Sequence, residues 1–301
     1  MSRIVRAMVL ALGPLGCMIE SSPPESPSSN PDAGDVSSCS YQFDKNWIMD
    51  TFAIRGPDEG FDLNNDSKAD NGLGFLGVAA NDGWVESIAK GETFYIWDIG
   101  GWGGRTSPER TRVRVAFFSG SDADDPPDPT NNVTGGGNFF VPAEQFDVNC
   151  EPTSAFPNAT ILGRTVYGEM PYWSFVRPGV GTVEFVDARL ELRVDDDLRT
   201  LHLEAGAVWT MCGLSRAIFP GGGSGTFLDQ LANSWDRSPD IDRDGDGLEQ
   251  VLGNGTHVIA CVDGDGTHID GSECACDPRI KDGYSVAFAG TGVPAHVLGI
   301  R

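Results

Sequence analysis

The chain has few basic residues and no long hydrophobic run. Its 301 residues include 21 lysines and arginines against 44 aspartates and glutamates, which gives a formal net charge of −23. A surface this acidic repels the phosphates of nucleic acids and attracts cations. No segment after the amino terminus approaches the roughly 18 apolar residues of a membrane-spanning helix. We therefore expect no nucleic-acid partner and no transmembrane helix.

Common catalytic motifs are also missing. The chain contains no His-Glu-x-x-His, no Gly-x-Ser-x-Gly, no P-loop and no dinucleotide-binding glycine pattern. Its four histidines are scattered along the sequence. A glycosidase needs only two suitably placed carboxylates, so a secreted carboxylate-based hydrolase stays open as an alternative. The main expectation is a protein that is not an enzyme.

The amino terminus has the features of an export signal. Arg3 and Arg6 precede a short apolar stretch, Ala7 to Leu12, which cannot span a bilayer. The following Leu-Gly-Cys resembles the lipobox of bacterial lipoproteins, with proline in place of the usual leucine at position 14. This resemblance implies a signal peptide over 1–16 and lipidation of Cys17. The alternative is an ordinary signal peptide cut nearby.

The segment after Cys17 indicates a tether. Residues 17–38 are rich in proline, serine and acids and poor in large apolar side chains, so we expect a lipid-anchored flexible linker. The resemblance implies attachment to a membrane through the lipid. The residue after the cysteine is methionine and not aspartate, which favours the outer membrane or cell surface.

The cysteine count agrees with export. Assigning Cys17 to lipid leaves six cysteines for disulfides in an oxidising compartment. These six are Cys39, Cys150, Cys212, Cys261, Cys274 and Cys276. Sequence does not fix their pairing, although the short intervening loop favours Cys261 with Cys274 or Cys276. A zinc site formed by His257 with the last three cysteines is the alternative.

The folded part is predicted to be mainly β. In residues 185–194 apolar and polar side chains alternate, Asp195 to Asp197 form a turn, and alternation resumes at Leu201. Strands of this kind belong to sheets with one wet face, so we expect an antiparallel β-sandwich with a few short helices. Residues 93–99 are continuously apolar and predict a central strand. Residues 71–90 and 227–235 suit short helices.

Three aspartate-rich segments have the spacing of calcium-binding loops. Alternate oxygen-bearing side chains in a tight turn converge on one point, and Ca²⁺ takes six to eight oxygen ligands. The first segment offers Asp62, Asn64, Asp66, the Lys68 carbonyl and Asp70, with Ser67 where glycine is usual. The second offers Asp240, Asp242, Asp244, Asp246 and Glu249. The third offers Asp263, Asp265 and Asp270.

These loops resemble those of dockerins and of thrombospondin type 3 repeats, over about ten residues each. The wider arrangement resembles uncharacterised bacterial surface lipoproteins with calcium loops of this type. The resemblance implies a lipid-anchored, calcium-binding envelope protein with a binding, adhesion or structural role. The β-rich domain is expected over 39–301, with a sub-boundary near 220–238 and a calcium-loop and disulfide segment over 238–283.

The expected partners are a membrane, through the lipid, and a glycan or another envelope protein. A carbohydrate-binding module is the alternative that the seven tryptophans suggest, since exposed aromatic rings would form a sugar-binding face. Trp97, Trp102 and Trp173 are the residues considered for it. Core positions are the more common place for such side chains.

Overall fold

A computed structural model describes residues 39–177, 180–219, 226–231, 239–243 and 282–301. Within these ranges the strands are β1 (Lys45–Ile54), β2 (Tyr95–Gly100), β3 (Ser107–Arg112), β4 (Arg114–Ser119), β5 (Ser121–Asp122), β6 (Asn138–Val141), β7 (Ala155–Phe156), β8 (Thr160–Gly163), β9 (Thr165–Arg177), β10 (Gly181–Val194), β11 (Leu201–Thr210), β12 (Gly283–Pro294) and β13 (His296–Ile300). The helices are α1 (Gly77–Ala89), α2 (Met211–Arg216) and α3 (Phe227–Gln230).

Ten strands form one curled antiparallel sheet in the order β3-β8-β9-β10-β11-β12-β1-β2-β4-β7. The two ends of this order are covalently continuous, because β3 runs into β4 and β7 runs into β8. Between them the Val113 amide donates a hydrogen bond of 3.0 Å to the carbonyl of Ala159. The pairing therefore continues from β3–β8 into β4–β7, and the sheet closes on itself.

Aromatic side chains fill the inside of the closed sheet. The Trp97 ring lies 6.2 Å from Trp173, and Phe117 lies 5.6 Å from Trp173. These rings come from strands that are far apart in the strand order and face each other across the interior. Centroid separations of 4.5–7 Å with tilted or edge-on rings are the favourable geometry for aromatic pairs. Packing across the interior thus holds the two halves of the sheet together.

Helix α1 covers the interior near the end of β1. Its Trp84 ring packs edge-on against Phe52 at 5.3 Å. The Asn81 side chain accepts a hydrogen bond of 2.8 Å from the Ile54 amide and donates one of 2.9 Å to the Ile54 carbonyl. The Asn81 side chain thus pairs with both backbone groups of Ile54 as a neighbouring strand would, at the end of β1. The helix predicted within residues 71–90 is confirmed.

A small second sheet, in the order β13-β6-β5, covers part of the outer face. Phe139 and Val141 of β6 form a buried cluster with Ile48, Ile96 and Phe118 of the large sheet. The strands β2 and β4 are therefore buried on both faces here. This explains why residues 93–99 are mostly apolar, as the prediction of a central strand required.

Residues 39–44 form a strap over the same face, fixed by a disulfide between Cys39 and Cys150. The Tyr41 hydroxyl donates a hydrogen bond of 2.8 Å to Asp98, and the Asp44 amide donates another of 2.8 Å. Arg114 lies 3.4 Å from the same carboxylate and 4.5 Å from the centre of the Tyr41 ring. Asp98 is fully buried, and burial raises its pKa above the usual value despite these partners.

The prediction of a mainly β, antiparallel fold with a few short helices is confirmed. The hairpin predicted around Asp195 to Asp197 is formed by β10 and β11, with Leu190 opposite Ala205 and Leu192 opposite Leu203. No helix within the described residues combines the length and apolar character needed to cross a membrane. The domain boundaries predicted from the sequence stay predictions.

The aromatic interior should dominate the stability of the fold. Trp173 is fully buried, whereas the adjacent Tyr172 is 43% exposed on the outer face. We expect Trp173→Ala to lower the free energy of unfolding by about 3–5 kcal/mol through loss of buried contacts. Tyr172→Ala should cost less than about 1 kcal/mol. Urea unfolding of both variants tests this, and equal losses would contradict the proposed division between interior and surface.

Asp98 should make stability depend on pH. Its carboxyl ionises at a higher pH in the folded chain than the 3.8 of an exposed aspartate, so the unfolded chain releases this proton first. The free energy of unfolding should therefore fall as the pH rises from 3.8 through the raised pKa. Asp98→Asn should remove that component. Urea unfolding of the wild type and the variant between acidic and neutral pH measures this component. A difference in the free energy of unfolding that does not change with pH would contradict the prediction.

Candidate functional site

The first aspartate-rich loop follows β1 and lies on the outer face of β10, β11 and β12. Its two ends pair at Phe61 and Asp70, where the Asp70 amide donates a hydrogen bond of 2.9 Å to the Phe61 carbonyl. Phe61 packs against Gly206 of β11, where a larger residue would clash with its ring. The Arg189 guanidinium donates to the Asp62 carbonyl. The sheet therefore holds the loop at its base.

Oxygen atoms of alternate side chains organise the turn itself. Asp62 accepts hydrogen bonds from the amides of Asp66 at 3.0 Å and Ser67 at 2.9 Å through its two oxygens. Asn64 accepts a bond of 3.0 Å from the Asp66 amide. Asp66 accepts one of 2.9 Å from the Lys68 amide. Residues at the first, third and fifth positions thus direct their oxygens to the same small turn.

The sixth position of the loop has the backbone conformation that calcium loops require. Ser67 has a φ of 70°, in the left-handed region that favours glycine, and Asn65 has a φ of 64°. Calcium loops of the EF-hand type have glycine at the sixth position because the chain turns sharply there. The sequence departs from that pattern at Ser67, yet the backbone adopts the turn.

The remaining positions are arranged differently. The Asp70 carboxylate is 9% exposed and accepts hydrogen bonds from the amides of Leu63 at 2.6 Å and Asn64 at 3.1 Å. The Lys68 ammonium lies 3.6 Å from Asp66 on a side chain that is 81% exposed. Across the described ranges, three or more His, Cys, Asp or Glu side chains nowhere come close enough together to hold a metal ion.

The start of the second aspartate-rich segment lies beside the first loop. Asp240 accepts hydrogen bonds from the Gly72 amide at 3.1 Å and the Ser285 amide at 2.8 Å, and also from the Ser285 hydroxyl. Burial raises the pKa of Asp240, and the negative charge of Asp70 raises it further. Two segments 168 residues apart in the chain thus meet at one point, beside a pocket of about 270 Å³.

Arg243 extends this contact by forming an ion pair of 2.8 Å with Asp187 of β10. Asp242 lies within the described residues. The other predicted residues of the metal and lipid sites lie outside them, namely Cys17, Asp244, Asp246, Glu249, Asp263, Asp265 and Asp270. The calcium loops to which they belong stay predictions.

Of the six cysteines predicted to form disulfides, Cys39 pairs with Cys150. Cys212 is also disulfide-bonded. Cys261, Cys274 and Cys276 lie outside the described residues, so their predicted pairing is not tested.

The tryptophans that the structure describes do not form a sugar-binding platform. Six of the seven lie within the described residues, and each is at most 6% exposed, namely Trp47, Trp84, Trp97, Trp102, Trp173 and Trp209. Their rings belong to the core, which removes the observation that suggested a carbohydrate-binding module. Asp98 was not predicted as a buried polar centre, because its only signal in the sequence is one acid inside an apolar run.

No family model, no curated protein sequence and no solved structure matches the chain.

The left-handed backbone at Ser67 predicts the effect of replacing it by glycine, the usual residue at this position of a calcium loop. A left-handed conformation costs a non-glycine residue about 1–2 kcal/mol, whereas glycine pays only its larger unfolded-state entropy. Ser67→Gly should therefore raise the free energy of unfolding by up to about 1 kcal/mol. The matched change Ser119→Gly, in the extended backbone of β4, should lower it by about 0.5–1 kcal/mol. Urea unfolding distinguishes the two signs, and a loss at both sites would argue against the turn.

Proposed function

We propose that the chain is an exported, calcium-stabilised protein of the bacterial envelope, held to the membrane by a lipid on Cys17. In this proposal it has a binding, adhesion or structural role and no catalytic one. The observation that supports it best is the conformation of the first loop. There Asp62, Asn64 and Asp66 share one turn whose sixth residue is left-handed.

The donor set suits a hard cation. Carboxylate and amide oxygens at three alternate positions, a backbone carbonyl at Lys68 and the carboxylate of Asp70 are the ligand types that Ca²⁺ takes. Amide hydrogen bonds already hold the side chains of Asp62 and Asp66, which lowers the entropic cost of ordering them. The nearby Lys68 ammonium is exposed, so a divalent ion would displace it at little cost.

The metal would act on stability and not on chemistry. Extracellular calcium modules bind with dissociation constants of about 10⁻⁴–10⁻³ M. At 100 times the dissociation constant, binding to the folded chain alone adds about 2.7 kcal/mol to the free energy of unfolding. Because the loop is attached to β10 through Arg189, this stabilisation would reach the outer face of the sheet.

The rest of the architecture is part of the same proposal. The lipobox-like sequence and the oxidised cysteines support the export part of the proposal. This part comprises the signal peptide, the tether and the outer-membrane or cell-surface location. The second and third aspartate-rich segments are proposed as further calcium loops. The antiparallel sandwich also remains a proposal, supported locally where the small sheet packs on β1, β2 and β4.

Calcium titration of the full chain tests this function. We expect millimolar CaCl₂ to raise the melting temperature by several degrees after prior treatment with EGTA, and calorimetry to detect binding. Asp62→Asn and Asp66→Asn should each weaken binding at the first loop at least tenfold, because each removes a charged ligand. Asp58→Asn, at an exposed position outside the turn, is the matched control.

Asp244→Asn and Asp265→Asn separate the contributions of the second and third segments. A melting curve and a calorimetric trace that calcium leaves unchanged in the wild type would disprove calcium stabilisation. Equal effects of Asp58→Asn and Asp62→Asn would show that the cation interacts only with the overall negative charge.

A further inference from the structure

A shallow groove crosses the outer face of the closed sheet over β10, β11, β12 and β1. Its volume is about 380 Å³, and it shares no lining residue with the pocket beside Asp240. Ala53, Ala289 and Gly290 form its small-residue floor. Its walls carry charges of both signs, from Arg55, Arg193, Glu191 and Glu204. Concave sites of this volume with a few convergent polar groups are typical of small-ligand binding.

The strand register places two acceptors opposite each other in this groove. Glu191 of β10 pairs directly with Glu204 of β11. Like charges in this position destabilise a sheet. Arg55 lies 4.0 Å from Glu204, whereas the Glu191 carboxylate makes neither a hydrogen bond nor an ion pair with any part of the chain that the structure describes. A ligand that donates hydrogen bonds to both carboxylates would offset the repulsion between them.

An exposed aromatic ring continues the same cross-strand row. Tyr167 of β9 pairs directly with Glu191 on the side away from Glu204. Its side chain points outward and is 37% exposed, and Arg110 lies 5.4 Å from the ring centre. The row thus presents an aromatic ring, two carboxylates and then the alanine floor, from β9 to β1.

We propose that this groove binds a neutral oligosaccharide. Carboxylates and guanidinium groups can each make two parallel hydrogen bonds, and neighbouring sugar hydroxyls provide the matching pair of donors and acceptors. The alanine and glycine floor allows a sugar ring to approach the sheet, and the exposed part of the Tyr167 ring offers an apolar contact at the end of the same row. A net charge of −23 disfavours anionic sugars.

The groove is separate from the calcium loops, and only the expected access to extracellular glycans rests on the proposed function. Binding is therefore measured both with calcium and in EGTA. The full chain is first applied to an array of neutral, amino and uronic-acid oligosaccharides. The affinity for the strongest neutral oligosaccharide on the array is then measured by calorimetry.

Two variants and one control test the site. Glu191→Gln should weaken binding about tenfold, because it replaces a charged hydrogen-bond acceptor. It also removes like-charge repulsion, so the protein should remain at least as stable, which separates lost binding from unfolding. Tyr167→Ala should weaken binding by up to about tenfold. Tyr172→Ala, at a similarly exposed tyrosine of β9 that lies outside the cross-strand row, should bind like the wild type.

Signals from neutral sugars that the first two variants lose and the control keeps would support the proposal. An array without neutral hits would overturn it, as would selective binding of uronic-acid or amino sugars alone. Equal losses at Tyr167 and Tyr172 would place the binding elsewhere. If the wild type cleaved the bound sugar and Glu191→Gln abolished that cleavage, the proposal of a binding site would be wrong and the groove would be the site of a hydrolase.

Discussion

The packing of aromatic rings inside the closed sheet is the constraint on which the rest of the structure depends. Trp97, Phe117, Trp173 and Phe175 come from both halves of the sheet and contact one another across its interior. Since these rings fill the inside, polar ligands have to bind on the outer face or in the loops. Both candidate sites lie there.

The sequence predicted the individual strands better than their closure. Apolar and polar residues alternate from Ala188 to Val194 in β10 and from Leu201 to Ala205 in β11, because one face of that hairpin meets the interior and the other meets water. Closure depends instead on two short breaks, at Val113 and at residues 157–159, where each strand bends and continues. Breaks this short leave no periodic signal, so the sequence did not predict the closure.

The double burial of β2 was predictable, although its cause was not. An apolar run from Thr93 to Ile99 indicates a strand covered on both faces, but it does not identify the small sheet and the strap as the cover. Asp98 illustrates the same limit. A buried carboxylate inside such a run requires partners, and these come from Tyr41 and Asp44, more than fifty residues away.

The first calcium-type loop was predicted from spacing alone, since the oxygen positions are a local property of the chain. Its left-handed Ser67 was not, because serine seldom adopts that conformation and the spacing carries no backbone angles. The role of Asp240 was also not predictable. Spacing marks it as the first ligand of a second loop, whereas its carboxylate accepts hydrogen bonds from Gly72 and Ser285.

Asp240 attaches both the first aspartate-rich loop and the start of the second aspartate-rich segment to the sheet. The Asp240 carboxylate accepts hydrogen bonds from the Gly72 amide, at the end of the first loop, and from the Ser285 amide, at the beginning of β12. The negative charge of the nearby Asp70 contributes to the raised pKa of Asp240. Two carboxylates in a partly buried place repel each other, so the arrangement is most stable when positive charge is near. A cation in the first loop would supply that charge. In the proposed function, a calcium ion in the first loop and the attachment of the second segment to the sheet would therefore stabilise each other through electrostatics, without a shared ligand.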